Sequence, residues 1–170
     1  MRLLISREEI ERRVRELADL INRDYRGKNP HLVGVLTGSF IFLADLVRLL
    51  TIPLTLEFVR VASYGAGRES SGEVKLLLGL ADSIEGRDVL VVEDIVDSGY
   101  TADFLMKELA RRNPASLKLC VLFDKPSRRK VPVRIDYRGF EIPDVFVVGY
   151  GLDLAGRYRN LPDLYALEEE

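Results

Sequence analysis

Val91-Val92-Glu93-Asp94-Ile95-Val96-Asp97-Ser98-Gly99-Tyr100-Thr101 runs from an apolar strand into two adjacent carboxylates and on to the start of a helix. Val89 to Val92 is apolar throughout, the mark of a strand covered on both faces. Such a strand should not finish in paired acids unless they reach water, a partner or a cation, because an unpaired buried charge is costly. Asp97, Ser98, Gly99 and Thr101 then stand where a helix begins, and the free N–H groups and dipole of a helix start favour phosphate. Acids for hydroxyls or Mg²⁺ beside amides for an anion describe a sugar-phosphate site. Taken singly, Asp97 or Ser98 serves as well for a helix cap, and Glu93 and Asp94 for solvated acids. It is the whole run that points to a ligand.

Outward from this segment, strands and helices alternate. The helix after Thr101 stops by Asn113-Pro114, and Leu117 to Phe123 is the next strand. On the other side, Ser6-Arg7-Glu8-Glu9 forms a capping box, and Ile10, Val14, Leu17, Ala18 and Ile21 follow at helical spacing, so a first helix runs to about Arg26-Gly27. His31 to Leu36 is a strand, Thr37-Gly38-Ser39 a tight turn and Ile41 to Leu50 a helix. Leu54 to Ala62 and Val74 to Leu80 are strands on either side of Ser63 to Glu73, a Gly/Ser-rich candidate mobile loop at 63–73. An irregular region starts at Lys125-Pro126, Val145 to Val148 is a short strand, and the tail is acidic. This order predicts an α/β fold with a Rossmann-like parallel sheet and helices on both faces, in one domain over residues 1–170. Ligands in such sheets sit at the carboxyl ends of strands, where this chain carries Thr37-Gly38-Ser39, Glu93-Asp94 and Asp124-Lys125.

Composition narrows the classes. A net charge of −2 lacks the cationic excess of a general nucleic-acid binder. Arg128, Arg129 and Lys130 make only a short basic cluster. No apolar run approaches the ~20 residues that span a bilayer, and the apolar start is too short for a signal peptide, so a soluble, cytoplasmic protein without membrane partners is expected. Cys120, the one cysteine, lies in the apolar run from Leu117 to Phe123 and reads as a buried, inert thiol of a reducing compartment.

Two hydrophobics, two acids, two hydrophobics and Asp-Ser-Gly-x-Thr closely resemble the PRPP-binding motif of the type I phosphoribosyltransferases, most of all their hypoxanthine-guanine branch. The likeness spans about Leu36 to Arg159. It implies a small hood built from the terminal segments beside the sheet. It implies that Glu93 and Asp94 hold the ribose hydroxyls, directly or through Mg²⁺, that Asp97, Ser98, Gly99, Tyr100 and Thr101 wrap the 5′-phosphate, and that Asp97 also faces purine N7 as acid or base. Tyr100 stands where some relatives have a lysine. Leu36-Thr37-Gly38-Ser39 resembles the family's pyrophosphate loop, often built on a cis non-proline peptide, with contacts from Thr37 and Gly38, and Arg159 resembles a residue that meets pyrophosphate. Ser63-Tyr64-Gly65 is similar to the start of a lid that closes over PRPP. Lys125, Phe146, Val147 and Asp153 resemble the base-binding half: Lys125 donates to the 6-oxygen, Phe146 stacks, Val147 offers its backbone, and Asp153 is a Mg²⁺ ligand with Glu93 and Asp94. A lysine has donors only, which favours a 6-oxo acceptor over an amino group.

The activity implied is Mg²⁺-dependent transfer of phosphoribose from PRPP to N9 of a 6-oxopurine, in a homodimer or homotetramer. The rival expectations are a xanthine-preferring or pyrimidine relative, and an RNA-binding regulator on the same fold.

Overall fold

Strand β5 (Asp88–Val96) lies inside the main sheet and divides its side chains between two cores. Leu90 and Val92 point into one cluster with the first two helices, while Val89 and Val91 enter a second with the third helix. This is the period-two alternation of a strand with both faces covered. The computed structural model describes residues 1–64 and 73–168, with backbone alone for Ser63, Tyr64 and Glu73. Of the candidate loop at 63–73, residues 65–72 therefore lie outside the described residues.

The flanking elements follow the apolar pattern. Strand β2 (His31–Leu36) is parallel to β5 and to β3 (Thr55–Tyr64). Strand β6 (Ser116–Asp124) is parallel to β5 on its other side, and β7 (Tyr137–Glu141) continues parallel to β6. Strand β4 (Glu73–Leu78) pairs antiparallel with β3, so the order is β4-β3-β2-β5-β6-β7 and one edge breaks the expected parallel run. The hairpin explains this, because a short connection returns the chain beside the strand it has just left, whereas a parallel neighbour needs a crossover.

Helix α1 (Arg7–Asp24) buries Ile10, Val14, Leu17, Ala18 and Ile21, and the Ser6 hydroxyl accepts from the Glu9 amide at 3.2 Å, as the capping box requires. Helix α2 (Phe40–Val47) packs with α1 on one face, and α3 (Tyr100–Ala110) covers the other. No helix among the described residues is long and apolar enough to cross a membrane.

Strand β5 does not stop at the acids. Its ladder with β6 continues through Ile95 opposite Phe123 and Val96 opposite Asp124, because β6 is long enough to supply partners beyond Glu93. The region after Lys125 is also less irregular than expected. A 3-10 turn covers Pro126–Arg128, and β7 adds the sheet edge, where Arg13 of α1 donates to the carbonyls of Gly139 at 2.9 Å and Arg138 at 2.6 Å. The terminal segments form a separate sheet in the order β1 (Arg2–Ile5), β9 (Leu164–Leu167), β8 (Phe146–Val148), which is the hood that the resemblance implied. Asp163 accepts from the Arg7 amide at 2.7 Å and so ties the last segment to the start of α1.

Candidate active site

The carboxyl end of β2 turns into α2 through Thr37 and Gly38, and the Leu36–Thr37 peptide is cis. Buried Ser39 closes the turn by donating its hydroxyl to the Val35 carbonyl at 2.6 Å. Gly38 is required by close approach: a Cβ there would collide with the Asp94 carboxylate. Gly151 in turn rests against the Gly38 carbonyl. Three segments far apart in the chain thus meet at one point.

Glu93 is 6% exposed. Burial pushes its carboxyl well above the usual carboxylate range, and the neighbouring Asp94 charge adds to the effect. Burial raises Asp94 as well, opposed by hydrogen bonds, one of them from the Ile95 amide at 2.8 Å, and by the positive charge of Arg159. Two adjacent carboxylates held this way gain from a proton or a cation. Among the described residues no three His, Cys, Asp or Glu side chains gather as a ready-made metal cage. The donor set instead suits Mg²⁺, which commonly takes one or two carboxylates and completes its shell with substrate oxygens and water.

The loop after β5 is shaped for an anion. Asp97 accepts closely from the Ser98 amide, and Gly99 has φ +91°, which a side chain would resist. The Ser98 carbonyl receives the Lys130 amide at 2.8 Å and the Val131 amide at 3.2 Å, so this carbonyl is taken up from the side of the 126–131 segment. Gly99 brings no side chain to cap α3, and Tyr100 and Thr101 line a cleft of about 720 Å³ together with Gly38, Glu93, Asp94, Asp97, Ser98 and Gly99. Free amides at such a helix start are donors for phosphate.

The expected base-binding half lies beyond β6. Lys125 is 5% exposed, and burial lowers its pKa against the opposing pull of the Asp97 charge. Its amide donates to the Val96 carbonyl at 2.9 Å, which sets Lys125 next to the root of the Asp97 loop. Phe146 is half-buried and Val147 buried in β8. Asp153 forms an ion pair with Arg159 at 3.2 Å and accepts from the Gly156 amide at 2.8 Å, and Arg159 also donates to the Gly151 carbonyl at 2.6 Å. Asp153 therefore stands with Arg159 and does not join Glu93 and Asp94 in one cluster of ligands. The side chains of Ser63 and Tyr64 lie outside the described residues.

Several cleft residues were not singled out by sequence reasoning. Arg128, Arg129, Lys130 and Asp144 line the same space. The available signal was the basic run placed just after Lys125-Pro126-Ser127. Away from the cleft lining, buried Tyr150 donates closely to Asp45 and so ties the loop that carries Gly151 to α2.

Residues 5–154 match the family described as the phosphoribosyl transferase domain. The hypoxanthine-guanine phosphoribosyltransferase of Bacillus subtilis is 47% identical over 98% of this chain and 93% of its own. That of Dictyostelium discoideum is 50% identical over 99% of this chain and 96% of its own. Among solved structures, a hypoxanthine-guanine phosphoribosyltransferase of Bacillus anthracis superposes with a TM-score of 0.94 at 46% identity, covering 99% of each chain. A point mutant of the hypoxanthine phosphoribosyltransferase of Trypanosoma cruzi, in a ternary complex with substrates, does so with a TM-score of 0.91 at 45% identity, covering 99% of this chain and 95% of the other.

Proposed function

We propose that this chain, which belongs to the phosphoribosyltransferase family, serves purine salvage by transferring 5-phosphoribose from PRPP to N9 of hypoxanthine or guanine. The observation that carries the reading is the meeting of the Glu93-Asp94 pair and the Asp97–Thr101 loop in one cleft, with buried Lys125 pinned to Val96 beside them. Sugar hydroxyls, a phosphate and a 6-oxo base need those three kinds of group.

In this reading the amides and hydroxyls of residues 97–101 bind the 5′-phosphate. Glu93 and Asp94 would hold Mg²⁺, which when bound neutralises phosphate charge. As the bond from ribose C1 to pyrophosphate stretches, negative charge grows on the departing oxygens, and Arg159 with the Thr37 and Gly38 backbone stabilises it there. Asp153 belongs to the site through its pairing with Arg159. Lys125 donates to the purine 6-oxygen, Phe146 stacks on the ring and Val147 meets the base edge through its backbone. Asp97 shares a proton with N7 while N9 attacks, an interaction that strengthens toward the transition state. Ser63 and Tyr64 open a lid that excludes water from the reactive sugar. Cytoplasmic residence and assembly as a homodimer or homotetramer belong to the same proposal.

Steady-state rates with PRPP, Mg²⁺ and each of hypoxanthine, guanine, xanthine and uracil test it. Turnover of hypoxanthine or guanine above the others is expected. Turnover confined to xanthine or uracil would replace the base assignment, and no PRPP-dependent product with any base would overturn the enzyme reading.

A further inference from the structure

Arg129 sits where the two halves of the cleft come together. Its Nε donates to the main-chain carbonyl of Asp97 at 3.1 Å, and its Nη2 donates closely to the carboxylate of Asp124. Asp124 is completely buried, and its other oxygen takes Arg138 at 2.8 Å, so the acceptor is held fast. The arginine stem also packs beneath the loop, with Cδ 3.0 Å from the position a Cβ on Gly99 would take. One planar guanidinium thereby links the residue before Lys125 to the first residue of the phosphate loop.

We infer that Arg129 is a positioning residue that sets the phosphate loop against the purine-binding lysine by bridging the Asp97 carbonyl and the Asp124 carboxylate. The inference rests on the phosphoribosyl-transfer reading for its kinetic consequence, but the bridge itself does not. The residue type follows from the geometry. Two acceptors in different directions need donors fixed in a fork, which a guanidinium has and a lysine ammonium, a single point on a flexible stem, does not. Asp97 and Lys125 each follow the end of a different strand, and beside the main-chain bonds from Lys125 to Val96 and from Lys130 and Val131 to Ser98, this bridge is a side-chain link that ties their immediate neighbourhoods together. The phosphate loop binds PRPP well only if its amides are held in place before the ligand arrives, so loosening the bridge costs PRPP affinity first.

The test uses Arg129→Lys and Arg129→Met in the full chain. Arg129→Lys keeps a positive charge for Asp124, so it should fold even if Arg129→Met does not, and it then decides alone. In the folded variants the KM for PRPP should rise about fivefold or more while the KM for hypoxanthine stays within about twofold, and amide exchange across residues 97–101 should quicken without any ligand. A merely structural role would lower the amount of active enzyme and move neither KM. A PRPP KM at the parental value, a fall in kcat alone, or a rise common to both KM values would overturn the inference. If the parent itself shows no PRPP-dependent turnover, the functional reading fails, and the exchange measurement alone judges the bridge: unchanged exchange at 97–101 overturns it.

Discussion

Replacing Lys125 by methionine should move catalysis and stability in opposite directions. Lys125 is 5% exposed, and burial disfavours its charged form, so the folded protein bears a desolvation cost at this position. Methionine keeps most of the aliphatic stem and brings no charge, so Lys125→Met should leave the melting temperature unchanged or raise it. In catalysis the lost contact is a charge-assisted hydrogen bond to the purine 6-oxygen, worth about 1.5–3 kcal/mol. At about 1.4 kcal/mol per decade, kcat/KM for hypoxanthine at saturating PRPP should fall roughly 10- to 150-fold. The assay pairs that rate measurement with a thermal melt of the same preparation. A folded Lys125→Met protein with kcat/KM within twofold of the parent would refute the base-reading role, and a large loss of both rate and melting temperature would show that the lysine is structural.

Asp97→Asn retains an acceptor for the Ser98 amide but cannot exchange a proton with N7, so kcat should drop about 10²–10⁴-fold with the KM for PRPP nearly kept, read from steady-state kinetics. Thorough chelation should abolish turnover and added Mg²⁺ restore it, since a divalent cation would offset the cost of two buried, adjacent carboxylates at Glu93 and Asp94; full activity in chelator would contradict this. The Tyr137 hydroxyl donates to Asp24 at 2.7 Å and holds that carboxyl below its usual value. A carboxyl lowered in the folded state contributes stability above its unfolded pKa and loses it as pH falls through the folded value, so Tyr137→Phe should flatten the acid limb of denaturant midpoint against pH. Burial pushes the Cys120 thiol up to about 12, so it should resist thiol reagents in the native state and react once unfolded.

Much of this molecule was legible because its signals are local. The apolar runs at Val89 to Val92 and Leu117 to Phe123 announce strands covered on both faces, and the capping box at Ser6 starts α1 where it is observed. The acidic pair followed by Asp-Ser-Gly-x-Thr marked the sugar-phosphate segment from within a span of nine residues. Strands β1, β7 and β9 carried no comparable signal, since each is short and owes its existence to a partner elsewhere: β1 pairs with β9 across almost the whole chain, and β7 is ordered by β6 and Arg13.

By itself the sequence determined the order of the central strands β2 to β6 and of the helices, the class of the fold and the residue types of the site, because backbone period and side-chain chemistry are written position by position. Only the tertiary structure decided which of those residues meet. Gly151 against Gly38, Arg159 beside Asp153, and Arg129 between Asp97 and Asp124 join positions separated by up to 113 residues along the chain, as the pairing of Tyr137 with Asp24 does at that limit. The reason is physical: a guanidinium reads equally well as a solvated surface charge or a buried fork until packing removes water from it and supplies its acceptors.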